Sequence, residues 1–238
     1  MNTVSDAGPL LSCPVKAASA VEGTVLVILH PFRTELTFAP RELGLATGDW
    51  VVFRNILGED LGRIIGRSEV DVSQTAVIRR AVAADLRQRE ENTKKAEEAL
   101  ATFRQLVRQF RLPMKPVGVH LRFDRREIWF YFISDERLNF RALHKAVSSA
   151  LNTRVSIRQV GVRDYARVLG GIGPCGRVLC CHGFLTELKP ITLRMARQQS
   201  LFVEPAKISG LCGKLLCCLG FEESGGGRRT ERGKGRKE

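Results

Sequence analysis

The segment Gly173 to Phe184, G-P-C-G-R-V-L-C-C-H-G-F, returns 37 residues later as Gly210 to Phe221, G-L-C-G-K-L-L-C-C-L-G-F. Eight of the twelve positions are identical, and they include every cysteine of each copy: Cys175, Cys180 and Cys181 align with Cys212, Cys217 and Cys218, while Lys214 stands for Arg177. Chance burial of apolar residues does not keep such a register. The chain carries two equivalent thiol-bearing loops, and the rest of it reads as their frame.

Thiolates are ligands for iron-sulfur clusters and for structural zinc. Zinc knuckles bring two cysteines in a C-x2-C turn, whereas each copy here is C-x4-C-C. Adjacent side chains diverge on a helix or strand, so the Cys-Cys pair is ill placed to chelate one small tetrahedral ion. A cubane accepts ligands from more varied directions. With four ligands per cubane, six thiols over-fill one cluster or leave each of two clusters one ligand short, a ligand that a partner protein can supply. Gly173, Gly176, Gly210 and Gly213 would let the backbone approach sulfur and donate N–H groups to it, and Arg177 and Lys214 would offset cluster charge. Inert buried thiols are the bland alternative. A dithiol couple is disfavoured, because an adjacent Cys-Cys disulfide is strained and no C-x-x-C is present.

The 238 residues, 44% of them hydrophobic, suffice for two globular domains. Runs such as Val25–Leu29 and Ile128–Ile133 are far shorter than the roughly 20 apolar residues of a membrane helix, so no transmembrane segment is expected and any membrane contact is indirect. Leu10-Leu11-Ser12-Cys13 resembles a lipoprotein cleavage site only faintly, lacking a basic and a long apolar region before it. A cytoplasmic protein follows, in which cysteines favour metal binding over disulfides. Cys13 lies outside the repeat. The net charge of +13 favours polyanionic partners. Part of it sits in a Gly-rich tail with Arg228, Arg229, Arg232, Lys234, Arg236 and Lys237, suited to RNA or anionic surfaces, or simply to solubility.

Four β-rich runs, Gly23–His30, Glu35–Phe38, Asp49–Arg54 and Leu61–Ile65, predict a small curled sheet or barrel. From about Ser73, a plausible N-cap, to Arg111 the pattern is helical. Ala96, Leu100, Phe103, Val107 and Phe110 share one face, and the charged stretch Asp85–Glu98 is expected to be solvated and broken near Asn92. Strands Val117–Phe123 and Glu127–Ile133, a helix Asn139–Leu151 and a strand Arg154–Val160 complete an α+β layer. If the helices cover one face of that sheet, His120, Arg122, Arg154 and Arg158 point away from them. Trp129 and Tyr131 either join that face or lie beneath the cysteine segment. Basic groups beside aromatic rings suit single-stranded RNA, which makes Arg122, Trp129, Tyr131, Arg154 and Arg158 a candidate RNA surface. The fold class is α+β. Its expected parts are a disordered lead (1–20), a β subdomain (21–70), an α+β subdomain with a long charged helix (71–164), the cysteine segment (165–222) and a disordered basic tail (223–238).

Three phrases carry a resemblance: V-R-D-Y-A-R-V-L-G-G-I-G-P-C-G-R-V-L-C-C (Val162–Cys181), P-I-T-L-R-M-A-R-Q-Q (Pro190–Gln199) and P-A-K-I-S-G-L-C-G-K-L-L-C-C-L (Pro205–Leu219). From roughly Gly48 to Glu222 the chain resembles the bacterial RicT (YaaT) family, whose homology domain is shared with a yeast polymerase-suppressor protein. The resemblance implies a non-catalytic subunit of a regulatory complex with RicA and RicF that carries two four-iron clusters. It implies an accessory role to RNase Y in messenger RNA maturation and turnover, with ties to sporulation, competence and biofilm control. All six repeat cysteines carry over as candidate ligands. A zinc-stabilised RNA-binding module is the alternative.

Signs of catalysis are missing from the sequence. His30, His120, His144 and His182 form no helical metal pair, and there is no nucleophile elbow or phosphate loop. His182, next to Cys181, reads as a supporting or surface residue, and Gly170-Gly171-Ile172-Gly173 as room for a cluster.

Overall fold

The computed structural model describes residues 23–68, 75–185, 189–199 and 204–225. The expected lead, Cys13, Ser73 and the tail from 226 onward lie outside the described residues. The fold is α+β, and the chain divides into two compact units, Met1–Gly161 and Val162–Glu238.

The first unit begins with a closed five-stranded barrel in the order β1-β2-β5-β3-β4. Its strands are β1 (Gly23–His30), β2 (Arg33–Ala39), β3 (Trp50–Asn55), β4 (Gly58–Arg67) and β5 (Ala76–Arg80). Alternation in β1 turns Val25 and Val27 inward, where they meet Ala39, Leu45, Val51, Phe53, Ile64 and Val77. At Gly62 strand β4 presses on β1, and a Cβ there would lie 2.3 Å from Val27 Cγ1 and 2.9 Å from the Ile28 carbonyl oxygen. The fifth strand corrects the sequence reading. Residues 76–80 fall in the span read as helical, yet they pair antiparallel with β3 and parallel with β2 and so close the barrel. Closure removes sheet edges, a gain that no local pattern announces.

Helix α1 therefore starts later, at Ala83, and runs unbroken to Gln109. Asp85 holds its start: the carboxylate accepts the Val82 N–H at 2.8 Å and pairs with Arg79. The expected break at Asn92 is absent. Asn92 is buried, and its amide donates to the carbonyls of Arg122 and Phe123, so one side of the polar middle is anchored to a hairpin while Arg87, Glu90, Glu91, Lys94, Lys95, Glu97 and Glu98 are exposed as expected. Farther along, Phe103 stacks on Phe130 with ring centroids 4.3 Å apart.

Strands β6 (Lys115–Leu121) and β7 (Glu127–Ile133) form the expected hairpin. Helix α2 (Arg141–Leu151) then crosses over to β8 (Arg154–Gln159), which lies parallel to β7. The sheet order is β6-β7-β8, and both helices cover one face around Phe130, Phe132, Leu143 and Val155.

The opposite face is closed, which corrects the proposed RNA surface. Trp129 and Tyr131 are buried beneath the β1–β2 turn, and Arg122 is buried against the β3–β4 turn, where it donates to Asn55 Oδ1 and the Glu59 carbonyl, each at 3.3 Å. His30 stacks on Tyr131 at 4.8 Å, and the Arg33 guanidinium sits 3.2 Å above the Trp129 ring. Gly118 permits this approach, since a Cβ there would be 2.9 Å from His30 Cε1. His120 faces Asp60 across the junction at 3.1 Å. Arg154 and Arg158 remain exposed at the rim, but without open aromatic rings beside them they make no stacking platform.

The second unit contains α3 (Val162–Leu169), α4 (Cys180–Gly183), α5 (Leu193–Gln198), α6 (Pro205–Ile208) and α7 (Cys217–Gly225). An apolar cluster of Ala196, Ile208 and Leu219 has Ile191, Met195, Leu215 and Leu216 packed around it.

Candidate metal centre

Both copies of the repeat fold alike. In the first, Gly173 N–H donates to the Arg177 carbonyl at 2.8 Å and Gly176 N–H to the Gly173 carbonyl at 3.0 Å. In the second, Gly210 N–H donates to the Lys214 carbonyl at 2.8 Å and Gly213 N–H to the Gly210 carbonyl at 2.9 Å. Single bridges, Ile172 to Val178 and Ser209 to Leu215, close each loop. The turn requires a left-handed residue after the first cysteine, supplied by Gly176 (φ 76°) and Gly213 (φ 72°). A helix then begins on the second cysteine, α4 at Cys180 and α7 at Cys217. The first cysteine thus sits in a turn while the adjacent pair opens a helix.

Two of the expected glycine roles separate here. A Cβ on Gly173 would lie 3.8 Å from Cys175 Sγ, and one on Gly210 3.7 Å from Cys212 Sγ, so the sulfurs do rest close to these glycines. The N–H groups of all four glycines, however, go to turn carbonyls rather than to sulfur.

All six repeat cysteines are free thiols. Burial pushes the Cys181, Cys217 and Cys218 thiols up, and neighbouring cysteines push them further. Those neighbours come from both copies. Cys181 feels Cys217 and Cys212, whereas Cys218 feels Cys180 and Cys175. Each grouping joins the first two cysteines of one copy to the third cysteine of the other. Cys217 also feels Cys180, which links the groupings. The equivalent residues Phe184 and Phe221 meet edge to face at 5.0 Å, as a paired arrangement of the two copies requires.

Helix α3 breaks this symmetry. Its i, i+4 arginines reach one copy each: Arg163 donates to the Leu215 carbonyl at 3.2 Å, and Arg167 donates to the carbonyls of Cys181, at 2.7 Å, and Leu185. Arg163 pulls the Cys217 thiol down and Arg167 that of Cys181, both in one grouping, while Glu222 raises Cys218 in the other. Arg177 and Lys214 are exposed on their turns. His182 bonds through Nδ1 to the Arg167 carbonyl at 2.7 Å and lies over Gly170, bracing α3 against α4. Sequence reasoning missed the two arginines, whose only signal is the R-x-x-x-R spacing at Arg163 and Arg167.

Among the described residues, no three His, Cys, Asp or Glu side chains converge tightly enough to hold a single metal ion. Tetrahedral zinc at about 2.3 Å from each sulfur would bring the thiolates within about 3.8 Å of one another. A cubane spreads its four ligands over four irons and tolerates the wider grouping. The unit also has a thin core: Leu169, Ile172, Val178, Phe184, Leu193, Leu211 and Phe221 are all substantially exposed. Small units with so little buried apolar surface commonly depend on a metal or another staple. The donor set and the thin core both fit a metal cluster.

Fold and thiol loops together define a class: an α+β protein whose second unit presents a duplicated, all-thiol candidate metal centre. The PSP1 C-terminal conserved region matches residues 75–160, and the third domain of PSP1-like proteins matches residues 190–225. The chain is 41% identical over 180 residues to the stage 0 sporulation protein YaaT of Bacillus subtilis (strain 168), a match spanning 73% of this chain and 66% of that protein. It is also 25% identical over 147 residues to an uncharacterized protein of Schizosaccharomyces pombe, covering 48% of this chain and 20% of the other. No solved structure matches the chain. The chain belongs to the YaaT/RicT family.

Proposed function

We propose that the protein is a non-catalytic regulatory subunit whose two cysteine loops hold iron-sulfur clusters of the four-iron type, completed by ligands from partner subunits. The observation that carries this reading is that the two cysteine loops fold alike and meet through Phe184 and Phe221; from the thiols that influence one another we assign Cys175 and Cys180 to one cluster with Cys218, and Cys212 and Cys217 to the other with Cys181. Three thiolates per grouping are one short of a cubane's four, so a partner of the RicA or RicF kind completes each set. When bound, such a cluster supplies electron exchange and a cross-link between subunits. The chain's own residues grip it through thiolates and tune it electrostatically through Arg163 and Arg167. The relative's sporulation role and the family resemblance support a regulatory task, which we assign to RNase Y-dependent maturation and turnover of messenger RNA.

Serine substitutions test the grouping. Cys175→Ser and Cys218→Ser should each remove the same half of the bound iron and sulfide from the assembled complex, and combining them should remove no more. Cys175→Ser with Cys181→Ser should remove both halves. If Cys175→Ser with Cys218→Ser emptied both sites, the assignment would be wrong.

A further inference from the structure

Charge is shared unevenly along the two helices that cover the sheet. The N-terminal half of α1 mixes both signs, and Glu90 with Lys94 and Glu91 with Lys95 stand at the i, i+4 spacing that balances a solvated face. Beyond Glu98 that balance stops. No Asp or Glu occurs from Ala99 to Phe123, nor from Arg137 to Arg163, so the end of α1, all of α2 and all of β8 have no carboxylate to offset their cations. Arg104 and Arg108 on α1, and Arg141 and Lys145 on α2, are like charges at i, i+4, which disfavours both helices.

The fold gathers these cations at one end of the helical layer. Register pairs Lys115, which opens β6, with Ile133, which closes β7, and Ser134 donates to the Pro113 carbonyl at 2.9 Å. The chain therefore leaves α1 and enters α2 at the same end. Arg108, Arg111, Arg137, Arg141 and Lys145 are exposed there, and none of them forms an ion pair among the described residues. Asp135 and Glu136, in the turn between β7 and α2, are the described carboxylates at this end, and they leave the five cations in excess.

Helix stability does not account for the arrangement. The end of α1 suits Arg108 through the helix dipole, but α2 has Arg141 in its first turn, where a cation opposes the dipole, and no acid there. Arg111 follows the end of α1 with φ 52°, the left-handed position at which glycine or asparagine is favoured, and α2 has Asn152 (φ 45°) at the corresponding place. Between Arg108 and Arg111, Phe110 is among the exposed large apolar side chains. Guanidinium groups beside an open ring fit phosphates and a stacked base.

We propose that this end of the helical layer is a docking surface for single-stranded RNA, with phosphates on the arginines of α1 and α2 and a base on Phe110. The choice of RNA among polyanions rests on the regulatory reading above. Fluorescence anisotropy on the intact chain with an RNA strand of about 12 nucleotides tests it. Binding should weaken as salt rises. Arg111→Gln combined with Arg141→Gln should weaken it about tenfold or more and lower the log–log salt slope by about 1.4, the value for two phosphate contacts on a single strand. Phe110→Ser should weaken it about fivefold without changing the slope. Arg126→Gln, in the β6–β7 turn at the other end of the sheet, should change neither. Iron and sulfide, measured on the same preparations, should be equal in all variants, which separates failure here from failure of the cluster reading. Absence of RNA binding, or unchanged affinity and slope in the double variant, would overturn the proposal. So would displacement of the RNA by polyglutamate of matched charge with Phe110→Ser silent, which would assign the surface to an acidic protein.

Discussion

At the residue scale, the polar knot beneath the β1–β2 turn decides how the barrel seats on the sheet. Asp60 is almost fully buried; its carboxylate accepts the Leu61 N–H at 2.9 Å and the Phe123 N–H at 3.1 Å and faces His120. Replacing it with asparagine leaves the buried Arg122 with Asp124, at 3.6 Å, as its carboxylate partner beside the neutral Asn55 side chain and Glu59 carbonyl, and should cost about 3 kcal/mol in a urea titration. The same knot sets the response to acid. Burial and His120 hold the His30 imidazole well below its ordinary range, so the unfolded chain gains a proton that the folded one refuses. The stability this contributes is complete above about pH 6.5 and falls as the pH drops below it. For Asp60, burial alone would raise the carboxyl, but His120, Arg122 and the Leu61 N–H outweigh it and hold it low. Its contribution is present above about pH 3.9 and lost as the pH falls further. The denaturation midpoint should therefore decline in two stages, and His30→Gln should abolish the upper one. A flat midpoint between about pH 7 and 5 would contradict this assignment. None of it was legible beforehand: His30 and Asp60 lie 90 and 60 residues before His120, and sequence distance says nothing of which turn will cover which face.

At the element scale, legibility followed local periodicity. The sheet hairpin, α2 and β8 could be read from alternation and apolar spacing, because each buries a face that its own residues define. Strand β5 could not, since Ala76-Val77-Ile78 suits helix or strand equally and only the open barrel edges decide between them. The same barrel predicts a severe effect at Gly62: Gly62→Ala would place a methyl into Val27 and the Ile28 carbonyl, and should lower Tm sharply or prevent folding. A near-neutral melting curve would show that β1 and β4 can separate more easily than this packing allows. In the second unit, the thiol loops were legible as a duplication, but the meeting of the two copies at Phe184 and Phe221 was not, since each loop's pattern describes that loop alone. Helix α3 makes the two groupings unequal. Arg163→Gln should weaken metal retention by the proposed grouping of Cys181, Cys212 and Cys217 while sparing the other, detectable as loss of up to half the bound iron during a timed chelator challenge. Equal loss from both would remove α3 from the account.

At the scale of the whole molecule, the two units differ in how they are held together. The first has a barrel core and a helix-covered sheet, so it should melt cooperatively with or without metal. The second combines a small apolar cluster with six free thiols and several exposed large apolar side chains, so its folding should be coupled to what the thiols bind. The central claim is that those thiols hold iron-sulfur clusters completed by partners. It is tested most directly by measuring iron, acid-labile sulfide and zinc on anaerobically purified chain, alone and co-expressed with its candidate partners. The account predicts iron and sulfide in equal amounts, rising when the partners are present. Stoichiometric zinc without sulfide, unchanged by partners, would contradict it and make the cysteine loops a structural metal module.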